Sequence, residues 1–350
     1  MVKIESIRKI LNKNQAALIY TPVSRQYLSG FESSLGYLFI TETEAVLFVD
    51  GRYIEAAKKG AKEQIKVSLF TNLSEQVKRF LGGKSLLVET SNTVADVKGF
   101  EKLFGVNIIP SENLENLLKE LRIIKLDYEI DCVIKAQRIA EKAFDDVLGF
   151  IRPGVTEIEI AAELEYRMKL AGSERISFET IAVSGEKTSM PHGVPGERVI
   201  KSGDFITMDF GAVYNGYHSD MTRTIAVGKV TDEMKKVYDI VLNANLAAIE
   251  RVAEGVKISE VDLAARNIIK NAGYGEYFTH STGHGVGLEI HEAPTVSFRN
   301  EKNLVSGQLI TIEPGIYLEG KFGVRTEDMV VVTKNGCNNL TKAEKRLIIV

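Results

Sequence analysis

Only two cysteines, Cys132 and Cys337, occur among the 350 residues. They make neither a disulfide framework nor a metal-ligand spacing, and isolated thiols of this kind belong to a reducing cytosol. Long apolar runs are also missing. No stretch approaches the ~18 uninterrupted apolar residues of a membrane span. Residues 1–13 mix charge into an amphipathic run where a signal peptide would carry an apolar stretch. Nor is there an excess of one charge: 44 Lys+Arg against 47 Asp+Glu leave a net −3. That removes the electrostatic footprint of a nucleic-acid-binding protein. Low-complexity segments and repeats of solenoid length are absent. A cytoplasmic protein that engages neither nucleic acid nor membrane is expected.

What is present is ordinary globular material, 44% hydrophobic and 26% charged, which excludes wholesale disorder. At ~150 residues per domain the length suggests two domains. Ile4, Ile7, Ile10 and Leu11 follow helical spacing. Strand-like runs follow at 17–20, 37–41, 45–50, 65–70, 85–89 and 106–109, with helix-like stretches at 53–62, 73–81 and 94–104. This alternation predicts an α/β N-terminal domain over residues 1–122 with a partly parallel sheet. From 127 to 151 the pattern is one long amphipathic helix, ended by Pro153-Gly154. Thr156 with Glu159 makes a capping box for a second helix over 156–170. Strands at 205–210, 222–227, 309–313 and 328–332, with helices at 232–253 and 259–271, complete a second, α+β domain over residues 123–350.

Chemistry begins at Met208-Asp209-Phe210-Gly211, which leads to Asn215-Gly216 and on to Ser219-Asp220. Asn-Gly between apolar flanks predicts a type I′ hairpin turn, because both central residues need φ > 0. Tyr214 then faces Tyr217 and Asp220 comes opposite Gly211, so Asp209 and Asp220 share a face as diagonal neighbours. Such a pair can converge on one ion; without an ion the two would repel and raise each other's pKa. Taken alone, the pair reads better as a solvated face with two unrelated aspartates.

Three later segments change that balance. Thr282-Gly283-His284-Gly285-Val286-Gly287 sets an imidazole between glycines, where backbone can approach a ligand closely. A phosphate loop is the competing reading, but it lacks a clear preceding strand and a following helix. In Ile312-Glu313-Pro314-Gly315 an acid ends an apolar strand at a forced turn. In Arg325-Thr326-Glu327-Asp328 an acidic pair enters another strand. Asp209, Asp220, His284, Glu313 and Glu327 together offer four carboxylates and one imidazole. That set suits Mn²⁺, Co²⁺, Fe²⁺ or Zn²⁺, not copper or an iron–sulfur cluster. Four carboxylates exceed the need of one divalent ion, and two ions ~3.5–4 Å apart balance them better.

These motifs, with Ser219-Asp220-Met221-Thr222-Arg223-Thr224 and Ile316-Tyr317, resemble the Xaa-Pro peptidases: aminopeptidase P and prolidase, within the pita-bread metallopeptidases. The likeness runs from about residue 128 to 335 and matches all five ligand positions in order. The first ~120 residues resemble the family's N-terminal domain through Ser24-Arg25-Gln26-Tyr27-Leu28-Ser29-Gly30-Phe31 and Asp50-Gly51-Arg52-Tyr53. Methionine aminopeptidases lack that domain, and creatinases lack the intact ligand set.

The resemblance implies a pita-bread catalytic domain and two divalent metal ions, Mn²⁺ foremost with Co²⁺ or Zn²⁺ as alternatives. Asp209 would hold one ion, His284 and Glu313 the other, with Asp220 and Glu327 bridging. An activated water would be the nucleophile and Glu313 the general base. His192 and His291 match catalytic histidines that also bind substrate. His280 and Arg325 match further substrate-binding positions, Arg325 pairing either with a ligand carboxylate or with the substrate's carboxylate. By hairpin parity His218 shares the aspartate face without a catalytic part, and Arg223 lies on the opposite face in a structural ion pair. Tyr317 reads as a packed aromatic as readily as a pocket residue, and Arg52 and Tyr53 read as packing. The implied activity is removal of the N-terminal residue from peptides with proline second, as in aminopeptidase P. The alternatives are an Xaa-Pro dipeptidase (prolidase) and a non-catalytic binding protein on the same fold. Asp50-Gly51-Arg52-Tyr53 with Phe48-Val49 tilts the expectation toward Xaa-Pro-Yaa and longer substrates, and a homodimer is expected.

Overall fold

A computed structural model describes residues 2–350; Met1, where the N-terminal amphipathic run begins, lies outside it. The chain divides into two compact units, the first ending at Arg122 and the second spanning Ile123–Val350.

The first unit holds strands β1 (Gln15–Ile19), β2 (Tyr37–Ile40), β3 (Ala45–Val49), β4 (Lys66–Leu69), β5 (Ser85–Val88) and β6 (Ile108–Pro110). They form one mixed sheet in the order β4-β3-β2-β1-β5-β6. β1–β5, β5–β6 and β3–β4 are parallel, and β2 pairs antiparallel on both sides. Helices α1 (Val2–Arg8), α2 (Pro22–Ser29), α3 (Ile54–Gly60), α4 (Leu73–Leu81), α5 (Val94–Phe104) and α6 (Glu112–Ile123) connect or flank the strands. Local chemistry sets their ends: Thr93 and Asp96 close a capping box on α5, and Gly82 and Gly105 take left-handed C-caps. α2 and α6 have no counterpart in the sequence pattern above. The Ser24–Phe31 motif is structural, since buried Arg25 donates to the carbonyls of Tyr20, Ser33 and Gly36.

The second unit starts with α7 (Asp127–Leu148) and α8 (Glu157–Leu170), the latter capped by Thr156 and Glu159 as predicted. Next come β7 (Ile181–Ser184), β8 (Phe205–Phe210), β9 (Val213–Tyr214), β10 (Tyr217–His218) and β11 (Met221–Ala226). α9 (Asp232–Arg251) and α10 (Ile258–Asn271) follow. The chain finishes with β12 (Gly283–Gly285), β13 (Glu292–Val296), β14 (Leu309–Ile312), β15 (Gly315–Leu318), β16 (Phe322–Arg325), β17 (Asp328–Thr333) and β18 (Gly336–Asn339). Among the described residues no helix is long and apolar enough to cross a membrane.

Two sheets dominate this pita-bread unit, β11-β8-β7 and β13-β12-β14-β17-β18. Each buries one face under a helix pair. Ile206, Met208, Phe210, Met221 and Ile225 join Phe144, Val147, Ile160 and Leu164 of α7 and α8 in one core. Ile310, Ile312, Val330 and Val332 join Val237, Val241, Val261 and Ala265 of α9 and α10 in the other. Side chains alternate along a strand, so Asp209, Thr222, Thr311, Glu313 and Glu327 fall on the faces turned away from the helices.

Candidate metal centre

The Asn215-Gly216 turn forms as expected, with φ of 49° and 77°. The register it starts, Tyr214 opposite Tyr217, persists to Thr222 opposite Asp209, which delivers Asp209 and Asp220 to one face. β14 pairs with β17 up to Ile312 opposite Asp328. β15 and β16 resume the same register at Gly315 opposite Arg325, so Glu313 and Glu327 oppose each other at the break between the two ladders.

The glycines beside His284 serve a different partner from the one predicted. His284 lies on a strand, β12, and a Cβ on Gly283 would come within 2.0 Å of Thr311 O, one on Gly285 within 2.3 Å of Ala293 O. Both glycines admit neighbouring strands, which presses His284 into the sheet and aims its ring at the acids. His284 Nε2 lies 3.3 Å from Glu313 Oε1 and 3.5 Å from Asp220 Oδ2. Ligand atoms of Asp220, His284 and Glu327 all fall within 4.8 Å of one another.

Protonation states follow from the surroundings. His284 Nδ1 lies 3.0 Å from the carbonyl of Gly285, an acceptor, so Nδ1 carries the hydrogen and Nε2 presents a lone pair to the acids. Burial lowers its pKa to about 4, so the ring is neutral. Burial first, and then Glu327, Asp209 and Glu313, hold the Asp220 carboxyl well above its usual range. Glu327 is raised by burial, then by Glu313 and Asp209. Glu313 is pushed up to about 8 by burial, with Arg325 opposing and Asp209 adding.

Few protein donors reach this cluster. Thr222 Oγ1 donates to Glu327 Oε2 at 2.7 Å and Thr311 Oγ1 to Glu313 Oε1 at 3.2 Å. Asp209 Oδ1, Asp220 Oδ1 and Glu327 Oε1 are buried with no hydrogen-bond partner among the described residues. Orphaned buried acceptors are rare in folded proteins and demand an explanation. Three of them, in one acid cluster that also offers a lone-pair nitrogen, fit divalent cations in number and in donor chemistry.

The other predicted residues divide into two groups. Arg325 meets a ligand carboxylate: Nη2 donates to Asp209 Oδ2 at 2.5 Å, Nε to Thr222 Oγ1 at 3.1 Å, and Nη1 to Tyr317 Oη at 2.9 Å and Pro191 O at 3.2 Å. These bonds take four of the five guanidinium N–H groups. His280 is likewise bonded within the protein. Its Nδ1 faces Ser281 O and its Nε2 faces Tyr317 Oη, each at 2.8 Å. Tyr317 therefore donates to His280 while accepting from Arg325, and all three form one supporting chain behind Asp209.

His192 and His291 stay exposed beside the cluster. The loop of His192 is tied down through Pro191 O, and its charge bears on His280. The His291 ring lies edge-on to His284, centroids 4.4 Å apart. Its neighbour Glu292 is buried and pairs with buried Lys125 at 3.0 Å.

His218 turns away, Nδ1 2.9 Å from Ser177 Oγ, and Arg223 makes the ion pair that parity predicts, 2.9 Å from Asp328. Arg52 pairs at the surface with Asp50, and Tyr53 reaches Ser34. Sequence reasoning passed over Thr222 and Thr311, although both share a strand face with an acid. It left Tyr317 undecided, since its partners come from distant segments.

The family profile described as Metallopeptidase family M24 matches residues 131–334, and that of the Creatinase/Prolidase N-terminal domain matches 3–124. An Xaa-Pro dipeptidase of Pyrococcus horikoshii is 42% identical over 99% of this chain and 98% of that protein. Among solved structures, an Xaa-Pro dipeptidase from Bacillus anthracis matches with TM-score 0.93 and 41% identity over 100% of this chain and 99% of the other. An X-Pro aminopeptidase from Thermotoga maritima matches with TM-score 0.92 and 36% identity over 98% of this chain and 100% of the other.

Proposed function

The chain belongs to metallopeptidase family M24, and from that premise we propose that it is an Xaa-Pro dipeptidase that splits the bond before a C-terminal proline. One observation carries the hydrolytic reading: Asp220 and Glu327, each with an orphaned buried oxygen, gathered with a neutral, lone-pair histidine. The dipeptide preference rests on the P. horikoshii and B. anthracis relatives, which overrides the tilt toward longer peptides drawn from residues 48–53.

Asp209, Asp220, His284, Glu313 and Glu327 would hold two divalent ions, Mn²⁺ foremost and Co²⁺ or Zn²⁺ as alternatives. Such ions supply Lewis acidity for the scissile carbonyl and lower the pKa of water at neutral pH. The chain's own residues do the rest. A carboxylate oxygen of Glu313 takes a proton from the attacking water and passes it to the departing proline nitrogen. His192 and His291, open to solvent on the rim, meet the substrate and stabilise the developing oxyanion. Arg325, Tyr317 and His280 orient Asp209. An Xaa-Pro bond has no N–H, so a site that grips the carbonyl can use a bond that donor-dependent peptidases cannot. We place the enzyme in the cytoplasm, in keeping with its free cysteines, and as a homodimer.

A second reading, an Xaa-Pro aminopeptidase acting on longer peptides, is favoured by one observation. Arg325, the cation that would bind a free proline carboxylate, gives four of its five N–H groups to protein acceptors. Comparing kcat/KM for an Xaa-Pro dipeptide and the matching Xaa-Pro-Yaa tripeptide at one Mn²⁺ concentration separates the two. The dipeptide should be preferred by more than about tenfold, ~1.4 kcal/mol of transition-state binding; the reverse preference makes the protein an aminopeptidase.

A further inference from the structure

The hairpin that carries Glu313 and Glu327 keeps one register throughout, yet its ladder is interrupted where the two acids stand. Pro314, beside Glu313, has no N–H to offer across the gap. The backbone donors of the two acids themselves leave the hairpin: Glu313 N–H donates to Thr282 O at 2.8 Å and Glu327 N–H to Thr222 O at 3.2 Å. One long backbone bond, Thr326 N–H to Pro314 O at 3.4 Å, crosses the break, and a side chain from helix α9 joins the two strands beside it. Asn245 Nδ2 donates to Ile312 O at 2.8 Å and to Thr326 O at 3.4 Å. Those carbonyls belong to the residues directly ahead of Glu313 and Glu327.

Asn245 is out of place by helix packing alone. It is wholly buried on the apolar face of α9, with Val241, Ala244 and Ala248. An amide in such a place is costly unless its polar atoms are bonded. Here Oδ1 accepts from Lys345 Nζ at 3.2 Å, and Lys345 also pairs with Asp328. Carbonyls only accept and an ammonium only donates, so the orientation of the amide is determined by its partners.

The geometry points to Asn245 as a positioning residue, a brace that grips both strands of the broken hairpin and holds Glu313 and Glu327 at the spacing that receives the metal ions. This rests on the metal centre proposed above. Without the brace, the long Thr326–Pro314 backbone bond alone would hold the strands together beside the two facing acids. Losing a group that orients a metal ligand typically weakens metal binding by about 10–100-fold.

Metal-free protein titrated with Co²⁺ tests this, read by calorimetry and by the visible absorption of bound cobalt. Asn245→Leu keeps the approximate volume and removes both donors. Val241→Ala, one turn away in the same apolar face, loosens the core without touching the brace. Asn245→Leu should weaken Co²⁺ binding by about tenfold or more and shift the cobalt bands, while Val241→Ala holds affinity within about threefold and leaves the bands in place. If Asn245→Leu does not fold, Asn245→Ser, with one donor for two strands, is held to the same criteria. A smaller loss with unchanged bands, or an equal loss in Val241→Ala, overturns the role of Asn245. Wild-type protein that binds no cobalt overturns the metal centre, and this inference with it.

Discussion

Glu327 and Asp328 are adjacent, acidic and buried, but they face opposite sides of one strand end and meet opposite surroundings. Asp328 looks toward the helices. Its Oδ1 takes Arg223 Nη2 at 2.9 Å, and its Oδ2 takes Asn339 Nδ2 at 2.9 Å and the ammonium of Lys345. Glu327 looks toward Asp209, Asp220 and Glu313. It receives one hydroxyl from Thr222, and its other oxygen has no partner. Both environments are dry, so burial does not distinguish them. The distinction lies in completeness. A buried acid whose oxygens are all met by cations and amides holds the fold together. One left incomplete beside three other acids is a receptor awaiting charge.

The largest effect should come from neutralising the incomplete side. Glu327→Gln or Asp220→Asn is expected to lose at least one bound metal and to reduce kcat by roughly 10³-fold or more, ~4 kcal/mol of barrier. The metal-free fold should be as stable as wild type or more so, because a buried, partnerless charge has gone. Metal content, turnover and thermal unfolding of the purified variants decide it. Two retained ions with near-normal turnover would remove Glu327 from the receptor side.

Much of this contrast was legible in the sequence, because strand parity and turn chemistry are local. Asn215-Gly216 specifies its own turn, and the turn carries Asp209, Asp220 and Thr222 to one face and Arg223 to the other. The 312–313 and 327–328 pairs follow the same alternation. Nonlocal contacts were out of reach. The glycines beside His284 announced a close approach, but only the sheet shows that Thr311 O and Ala293 O make it. Strands such as β12, three residues long, are too short for a period to register. Tyr317, Arg325 and His280 meet across the fold, and no spacing encodes that meeting. Asn245 left a trace, a polar residue inside an apolar stripe, without a clue to its partners.

Neutralising the complete side should act on stability and spare chemistry. Asp328→Asn leaves Arg223, which is 1% exposed, facing an amide, and Lys345 without its counter-charge. Removing one partner of a buried ion pair costs about 3–5 kcal/mol. In a unit of this size that lowers the melting temperature by roughly 6–20 °C. Turnover per folded molecule well below the transition should stay within about threefold of wild type, under ~0.7 kcal/mol of barrier. Lost turnover with an unchanged melting temperature would show that Asp328 belongs with the metal centre and that the division between the two faces is wrong.

The smallest effect is a slope with pH, and it separates the two faces without disturbing either fold. In metal-free protein Glu313 binds its proton more tightly when folded, its pKa raised from 4.5 to about 8. Asp220 and Glu327 are raised in the same direction. Groups whose folded pKa is raised contribute stability below the unfolded value and lose it as pH climbs through the folded one. Burial lowers His218, His280 and His284 from 6.5 to about 4, so their contribution is present above 6.5 and lost as pH falls toward 4. Between pH 6.5 and about 8 the acids alone should act. Metal-free wild type is expected to lose stability across that window, by ~1.6 kcal/mol and at most ~2 kcal/mol for a single titrating group. Glu313→Gln should flatten the slope, and Asp328→Asn should leave it unchanged while lowering the whole curve. Saturating Mn²⁺ should reverse it, because ligands must shed protons to bind metal. Denaturant unfolding at pH 6.5, 7.25 and 8, with and without Mn²⁺, measures all three slopes. A metal-free protein as stable at pH 8 as at 6.5 would mean that the acid cluster carries no frustrated charge for an ion to relieve.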